Sequence, residues 1–488
     1  MTLPGAVEDL LRPDPVRRFR RLLDDHSFNR TRRFAFTLLL LLWSGSACVF
    51  GEPALTNAVD TFDAAWGIIE KTHFDRGFNG VDWNRVRDEL RPKAAAALSK
   101  AGLDAIIQDM LDRLGQSHME IIPAQGEKAR GSRLRKAPLS PDEDRPSDAA
   151  TTGLHVRFLA GELVVVRVDS GSAGSKGGVH PGWIITRIDE TESSEIAPVT
   201  AEFSRTGYVN AWAEAVRLLK GPAGSRVRIH FLGAHNRSRS LDLLRQAPRG
   251  EPARFGNLPT FFTDFDSEVI KAAEGKRVGL IRFNIWMMPI ARQFSLAMDR
   301  LRGCDGIVID LRGNVGGVAG LVMGVAGHFL ADAVSLGTMK TRDGELQFMG
   351  NPRKVNLAGE RVEPFAGPVA ILVDAVSLSA SEIFAGGMQS IGRARIFGER
   401  TGGMALPASF DRLPNGDLLI HALGDFVTPS GVRLEGHGVL PDEEVPLSRE
   451  DLLADRDAPL RAALRWIAHG GHRRNPEKAT ALRNDKSL

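Results

Sequence analysis

The chain has 488 residues, more than one hydrophobic core usually serves, so two or three domains are expected. Hydrophobic residues make up 43% and charged residues 25%, which is ordinary for globular protein. The formal net charge is only +3, and the N-terminal 33 residues supply all of it with eight arginines against five acids, so no basic stripe remains for a nucleic-acid partner.

Residues 1–51 have the order of a secretory signal. Three arginines precede an apolar run, and small residues follow it: Arg30, Arg32 and Arg33, then 34–43, then 45–47. This order predicts an exported protein, periplasmic or secreted. The apolar run is shorter than the ~20 residues that span a bilayer, so a membrane tether formed by an uncleaved signal is the alternative.

The next segment, 57–122, is predicted to be helical. Apolar residues recur there at three- and four-residue steps, as in Trp66 and Ile69 or Val86 and Leu90. Residues 123–150 are rich in Ser, Pro and charged residues and contain almost no large apolar ones, so they are predicted to form a flexible linker.

From residue 151 the hydrophobic period changes to two, which predicts a small, mostly β domain over 151–246. Strands are predicted at 163–168, 184–188 and 227–232.

A second linker, 247–259, leads to a core over 260–470, and residues 471–488 are predicted to be a disordered tail. The core alternates strands and helices, which predicts an α/β fold with a largely parallel sheet. The predicted core elements are strands 278–283, 306–310 and 368–373, and helices 291–301, 317–330 and 381–390.

Three segments carry residue types that suit nucleophilic catalysis. The first is Ser377-Leu378-Ser379-Ala380-Ser381-Glu382, between a buried strand and a helix. A hydroxyl at a helix N-terminus is close to exposed N–H groups that stabilise developing negative charge, although serine is also a common N-cap. The second is the glycine loop 310–317, whose Gly316-Gly317 pair allows backbone N–H groups to approach a ligand closely.

The third segment is Ser117-His118, at the end of the helical region. A lone histidine is more often structural than catalytic, but a neighbouring hydroxyl can orient the ring and set its tautomer.

Together these segments resemble the C-terminal processing peptidases and their relatives, the tricorn proteases. The resemblance implies a crotonase/ClpP-like α/β peptidase core, preceded by a helical segment and a PDZ domain. It implies that Ser379 is the nucleophile and that the oxyanion hole comes from Gly316, Gly317 and Ala380. The PDZ domain would hold the C-terminal tails of protein or peptide substrates through a loop that adds the peptide as an extra strand: Gly153, Leu154, His155 and Val156.

One departure from the family is informative. The lysine of the family's Ser–Lys dyad falls at position 404, which is Met404 here and cannot accept a proton. The tricorn branch instead uses a Ser-His pair and a late glutamate, which Ser117-His118 and Glu435 resemble. The resemblance therefore implies a tetrad of Ser379, His118, Ser117 and Glu435, with His437 as a competing imidazole.

The resulting expectation is an exported serine endopeptidase that uses acyl-enzyme chemistry, with no cofactor and no metal. Asp310 and Glu382 are interpreted as structural. Two alternatives remain open: a non-catalytic ligand- or peptide-binding protein on the same fold, as in its retinoid-carrying relatives, and a PDZ scaffold with a decayed active site. The oligomeric state is left open.

Overall fold

The computed structural model describes residues 57–123, 150–197, 204–256 and 260–471. The predicted signal segment, most of the 123–150 linker and the tail after residue 471 lie outside the described residues. None of the helices in the described ranges is long and apolar enough to cross a membrane.

The N-terminal region forms three helices: α1 (Ala58–Thr72), α2 (Trp83–Ala95) and α3 (Lys100–Asp112). The carboxylate of Asp82 accepts from Arg85 N and caps α2, and Ser99 Oγ accepts from Gly102 N and caps α3. The rings of Trp66 and Trp83 stack with their centroids 6.5 Å apart and hold α1 against α2. The predicted helices are present up to Asp112, but the last three residues of the predicted helical segment, 120–122, form a strand.

The segment 151–246, called the inserted module below, is built around an antiparallel sheet. Its strands are β2 (Leu154–Leu159), β3 (Glu162–Val168), β4 (Ile184–Ile188), β5 (Thr191–Glu192), β6 (Arg226–Leu232) and β7 (Ser238–Leu244). The spatial order is β2-β3-β4-β6-β7, with β5 paired to β4, so β2 is an edge strand. Its helices are α4 (Ala173–Lys176), α5 (Ser193–Ile196) and α6 (Arg205–Leu219).

The core contains a six-stranded sheet in the order β10-β11-β12-β15-β16-β20, parallel except for the antiparallel pair β10–β11. The strands of this sheet are β10 (Phe265–Lys271), β11 (Arg277–Phe283), β12 (Gly306–Asp310), β15 (Val369–Val373), β16 (Arg395–Gly398) and β20 (Glu443–Glu444). The core helices are α7 (Pro289–Leu301), α8 (Leu321–Ala326), α9 (Ala380–Ser390), α10 (Arg449–Leu453) and α11 (Ala458–Ala468).

Three smaller sheets complete the molecule. One is a two-stranded sheet of β8 (Glu251–Ala253) and β9 (Phe261–Thr263), and another has three strands in the order β14-β13-β19. The third has the order β1-β18-β17. The remaining strands are β1 (Glu120–Ile122), β13 (Val334–Thr341), β14 (Glu345–Gly350), β17 (Ala408–Arg412), β18 (Leu418–Ala422) and β19 (Gly424–Val427).

Helices cover both faces of the main sheet. Ile307, Ile309 and Ile371 point to the face that packs under α7, α8 and α9. The alternate residues, such as Val308 and Leu372, pack against α11. A parallel sheet that is buried on both faces explains the nearly continuous apolar strands in the sequence. The predicted α/β fold is confirmed.

The predicted helix over 317–330 is wrong at both ends, because only α8 is helical there. Gly317 has a φ of +134° and extends the chain alongside Trp286. Trp286 N donates to Gly316 O at 2.8 Å, and Val318 N donates to Trp286 O at 2.7 Å. These bonds hold the segment extended until the helix begins at Leu321.

The N-terminal region is attached to the core by strand pairing. Strand β1 pairs antiparallel with β18, and Ile121 lies opposite Leu419. Buried side chains of the three helices form one apolar cluster with Leu406, Leu413 and Leu419 of the core. Ser117-His118 lies just before β1, so this pairing brings the dipeptide to the core.

Candidate active site

Ser379 lies in a strained turn between β15 and α9. Its backbone has φ +53° and ψ −116°, an unusual conformation for a residue with a Cβ. The side chain is half-buried, whereas Leu378 and Ala380 on either side are buried. Such strain persists only where the surrounding structure enforces it, and it commonly marks functional residues.

The other two serines of the motif are fully buried and bonded within the protein. Ser377 Oγ donates to Leu311 O at 2.8 Å and accepts from Asp374 N. Ser381 Oγ donates to Asn314 O at 3.1 Å and accepts from the indole of Trp286. Ser379 is therefore the serine of this motif whose hydroxyl can act as a nucleophile.

The glycine loop lies directly against Ser379. A Cβ at Gly316 would lie 2.6 Å from Ser379 Cβ, so only glycine fits there. Asn314 links the loop to the serine turn, since its carbonyl accepts from Leu378 N at 3.0 Å.

Several of the backbone N–H groups around Ser379 are already used. Gly316 N donates to Asn314 Oδ1 at 3.0 Å, and Ser379 N donates to Met404 O at 3.0 Å and to Glu382. Glu382 N donates to Ser379 O at 2.8 Å. Within the described residues, the N–H groups of Gly317 and Ala380 have no hydrogen-bond acceptor. Two of the three predicted oxyanion donors, Gly317 N and Ala380 N, are thus available. Gly316 N is not available, but the absence of a side chain at Gly316 allows the loop to lie against Ser379.

Glu382 connects Ser379 to the loop that contains position 404. Its carboxylate is fully buried and accepts from Ser379 N, Gly403 N and Met404 N, and from the hydroxyl of Thr401 at 2.5 Å. Burial raises the pKa of Glu382 to about 7, although the four donors oppose that shift.

Ser117, His118 and Glu435 form a hydrogen-bonded chain. The hydroxyl of Ser117 donates to Glu435 Oε2 at 2.9 Å, and its oxygen is 2.8 Å from His118 Nδ1. Since the Ser117 proton is engaged with Glu435, the hydroxyl oxygen accepts from Nδ1–H of His118. That tautomer leaves Nε2 of His118 with a lone pair that can accept a proton.

Glu435 is buried and is held by two further backbone donors, Ser117 N and Ala405 N, both at 2.9 Å. Ala405 follows Met404, whose carbonyl accepts from Ser379 N. The segment that would contain the lysine of a Ser–Lys dyad therefore contributes backbone groups here: Met404 O accepts from Ser379 N, and Ala405 N donates to Glu435.

The competing imidazole, His437, is exposed and its Nδ1 contacts its own segment, 3.1 Å from Glu435 O. The carboxylate of Glu435 is bonded to Ser117 and not to His437. This arrangement favours His118 over His437.

Asp310 is buried in ion pairs with Arg282 and Arg312, which lower the pKa of that carboxyl.

The four predicted substrate-binding residues lie at the start of edge strand β2. Gly153 has a φ of +77°, and a Cβ there would collide with Ser172 Cβ at 2.2 Å. Leu154 and Val156 are buried in the core of the inserted module. His155 Nε2 is 2.9 Å from Asp169 Oδ1, and burial lowers the pKa of His155.

Side chains of α6 cap two carbonyl groups of β2. Trp212 Nε1 donates to Val156 O at 3.1 Å, and the hydroxyl of Tyr208 donates to Phe158 O at 3.2 Å. A peptide that adds to this edge as a strand would need the same acceptors. The edge is therefore capped by the module's own helix in this structure.

The same helix also contacts the active-site turn. Tyr208, Val209 and Trp212 pack against Val376, Leu378 and Met404, which lie around Ser379. Met404 thus belongs to the interface between the inserted module and the core.

Sequence reasoning missed Arg157 and Asp374. Arg157 in β2 donates from Nε to Asp374 Oδ2 at 2.7 Å, and both side chains are 9% exposed. Asp374 Oδ1 in turn accepts from Gly313 N at 3.0 Å and from Val376 N at 3.1 Å. A charged residue in an otherwise apolar edge strand, and an aspartate directly after a buried strand, were the available signals.

Comparison with known proteins agrees with this geometry. Residues 277–445 match the model of Peptidase family S41, and residues 59–112 match the Tricorn protease C1 domain. The chain is 26% identical to the chloroplastic C-terminal processing peptidase of Tetradesmus obliquus, over 85% of this chain and 82% of that protein. It is 23% identical to the carboxyl-terminal-processing protease of Synechocystis sp., over 90% of this chain and 95% of that protein.

Solved structures show the same fold. The photosystem II D1 C-terminal processing protease aligns with a TM-score of 0.53 at 22% identity, over 86% of this chain and 98% of that one. Mature CPAF aligns with a TM-score of 0.54 at 12% identity, over 88% of this chain and 98% of that one. The match of residues 277–445 to the S41 model and the named relatives show a serine-type peptidase, and the solved structures show the shared α/β fold.

Proposed function

We propose that the protein is an exported endopeptidase that cleaves protein or peptide substrates through an acyl-enzyme formed on Ser379, with His118 as the general base. The observation that carries this proposal is the hydrogen-bonded chain from Glu435 through Ser117 to Nδ1 of His118. It gives the imidazole a fixed tautomer and a buried carboxylate that stabilises the imidazolium formed during proton transfer.

In this mechanism His118 Nε2 takes the proton of Ser379 as Oγ attacks the substrate carbonyl carbon. The oxyanion accepts hydrogen bonds from Gly317 N and Ala380 N, neither of which has an acceptor within the described residues. The C–N bond then breaks, and His118 gives the proton to the leaving amine. A water molecule attacks the ester, His118 takes its proton and returns it to Ser379 as the acid product leaves.

The proposal assigns substrate recruitment to the inserted module as a PDZ domain that captures C-terminal tails along β2. Supporting observations are the edge position of β2, the positive φ of Gly153 and the adjacent helix α6. Several relatives are named carboxyl-terminal-processing proteases, which agrees with recognition of C-terminal tails. Because Tyr208 and Trp212 cap β2, we infer that a peptide displaces both side chains when it binds.

Export rests on the order of charged, apolar and small residues in 1–51. Relatives with the word chloroplastic in their names and a relative from Bacillus subtilis agree with a role outside the compartment of synthesis.

Active-site labelling tests the proposal. The wild type should react with a fluorophosphonate probe and cleave an unfolded protein substrate, and Ser379→Ala should abolish both. The matched control Ser430→Ala, an exposed serine in the same core, should change neither. Equal labelling of Ser379→Ala and wild type would instead support a non-catalytic binding protein. Loss of cleavage in Ser379→Ala but not in His118→Ala would reject the tetrad and retain the nucleophile.

A further inference from the structure

Two partly buried arginines and one buried histidine form a cluster at the end of the main sheet opposite the active site. Arg302 precedes β12, His328 follows α8, and Arg353 follows β14. The strands β12 and β15 begin near this cluster, whereas Asp310 and Asp374, which lead into the catalytic loops, lie at or just after their other ends. Five residues of strand separate the two ends, about 17 Å.

Backbone bonds bring the three residues together. Arg353 N donates to Gly327 O at 2.8 Å, which places Arg353 beside His328. His328 O accepts from Phe365 N at 2.7 Å, and Arg302 Nη1 donates to Glu363 O at 2.5 Å. Arg302 and His328 thus border the same short segment, 363–365.

The cluster contains an unusual concentration of polar atoms without partners. Among the described residues, nine buried side-chain nitrogen or oxygen atoms have no hydrogen-bond partner, and four of them belong to these three residues: Arg302 Nε and Nη2, His328 Nδ1 and Arg353 Nε. Buried donors and acceptors of this kind are rare and usually bind a water molecule or an ion. One acidic contact is present, since Arg302 Nε is 3.6 Å from Asp299 Oδ1.

The tautomer of His328 follows from its other ring nitrogen. Ser295 Oγ donates to Ala291 O at 2.8 Å, so its oxygen can only accept from His328 Nε2, which is 3.3 Å away. Nε2 therefore carries the hydrogen, and Nδ1 is a bare acceptor. Burial lowers the pKa of His328 to about 3, with further lowering by the charges of Arg353 and Arg302, so the ring is neutral at physiological pH.

The site thus offers two guanidinium groups that can only donate and one imidazole nitrogen that can only accept. A fully deprotonated anion such as sulfate would satisfy the arginines but would place an oxygen against the Nδ1 lone pair. A phosphate that keeps one hydroxyl can donate that hydroxyl to Nδ1 while its charged oxygens accept from both arginines. We propose that Arg302, His328 and Arg353 form a buried site for protonated phosphate, distinct from the peptidase site.

The first test measures the thermal unfolding of the full chain with inorganic phosphate or sulfate, at an ionic strength matched with sodium chloride. A phosphate concentration ten times its dissociation constant should raise Tm by about 2 °C, and the same concentration of sulfate should raise it much less. Equilibrium dialysis with labelled phosphate should show one site per chain. No bound phosphate, or equal effects of phosphate, sulfate and chloride, would overturn the proposal and indicate that water fills the cluster.

Variants locate the site. Arg353→Met should weaken phosphate binding at least tenfold, whereas Lys354→Met, the adjacent exposed cation, should leave it unchanged. His328→Phe removes the acceptor and should reduce the preference for phosphate over sulfate. If either of the two site variants fails to fold, the dialysis result on the wild type with both anions still decides the question. Unchanged phosphate binding in a folded Arg353→Met protein would overturn the assignment.

Discussion

Arg157, in the edge strand of the inserted module, forms a buried ion pair with Asp374, at the start of the turn that contains Ser379. The same carboxylate accepts from Gly313 N in the glycine loop. One aspartate therefore connects the predicted peptide-binding strand, the glycine loop and the serine turn.

Removal of Arg157 should affect both stability and catalysis. Arg157→Met leaves the Asp374 carboxylate buried without its cation, which should lower the free energy of unfolding by about 3 kcal/mol and reduce peptide cleavage. Chemical denaturation and steady-state kinetics measure the two effects. The control is Arg228→Met, since Arg228 pairs with Asp242 at the surface with 61% of its side chain exposed. This control should lower stability far less than Arg157→Met, because solvent screens the exposed pair, and similar losses in both variants would contradict the prediction.

Glu435→Gln should lower kcat far more than it alters substrate binding. Glutamine keeps the shape of the side chain, but its amide nitrogen cannot accept from Ser117 or Ala405, and the charge that stabilises the His118 imidazolium is lost. We expect kcat to fall by about 10³-fold with KM changed little. Glu443→Gln, which removes a partly exposed partner of Arg395, should leave kcat near wild type. A wild-type kcat in Glu435→Gln would exclude Glu435 from the proposed tetrad.

Gly316→Ala should abolish acyl-enzyme formation without unfolding the protein. The added methyl would collide with Ser379 Cβ and with Leu378 O at 2.9 Å, and the φ of +93° is unfavourable for alanine. Fluorophosphonate labelling should therefore fall at least 100-fold, while circular dichroism retains the native spectrum. Gly320→Ala, four residues later with open space around it, is the matched control and should label normally.

Removal of the caps on β2 should strengthen peptide binding. Tyr208→Phe deletes the donor to Phe158 O, and Trp212→Phe deletes one of two donors to Val156 O, while each keeps an aromatic ring. Loss of the bond to Phe158 O should tighten binding of a C-terminal peptide about fivefold. Trp212→Phe should have a smaller effect, because Arg157 Nη1 still donates to Val156 O. Fluorescence anisotropy measures this, with the C-terminally amidated peptide as control. Unchanged or weaker binding in both variants would show that the peptide does not use these carbonyls.

The pH dependence of stability should report Glu382. Its pKa in the folded protein is about 7, above the ordinary value of 4.5, so the native state holds this proton more tightly than the unfolded state. The corresponding stabilisation is present below pH 4.5 and is lost as the pH rises through about 7, by about 3 kcal/mol in total. In Glu382→Gln this loss should disappear. Parallel stability curves for variant and wild type between pH 4.5 and 8 would contradict the prediction.

The sequence was sufficient for the fold class and for the short-range motifs. Apolar strands alternating with helices predicted the α/β core, because burial of both sheet faces leaves a nearly continuous apolar pattern. The serine motif predicted the nucleophile, and Met404 excluded a Ser–Lys dyad because a thioether has no proton to exchange. For Glu382 the sequence predicted a structural role but not its partners. In the folded protein its carboxylate links Ser379 N to the 401–404 loop.

Local sequence determined which residues are chemically able to act, and the tertiary structure decided which of them are available. Ser117 and Glu435 are 318 residues apart and become hydrogen-bond partners where β1 pairs with β18 beside the active-site loop. Gly316 N is used by Asn314, and Tyr208 and Trp212 cap β2, because backbone donors and acceptors are satisfied by whichever group packing brings within about 3 Å. Such partners depend on long-range packing, which no local pattern records.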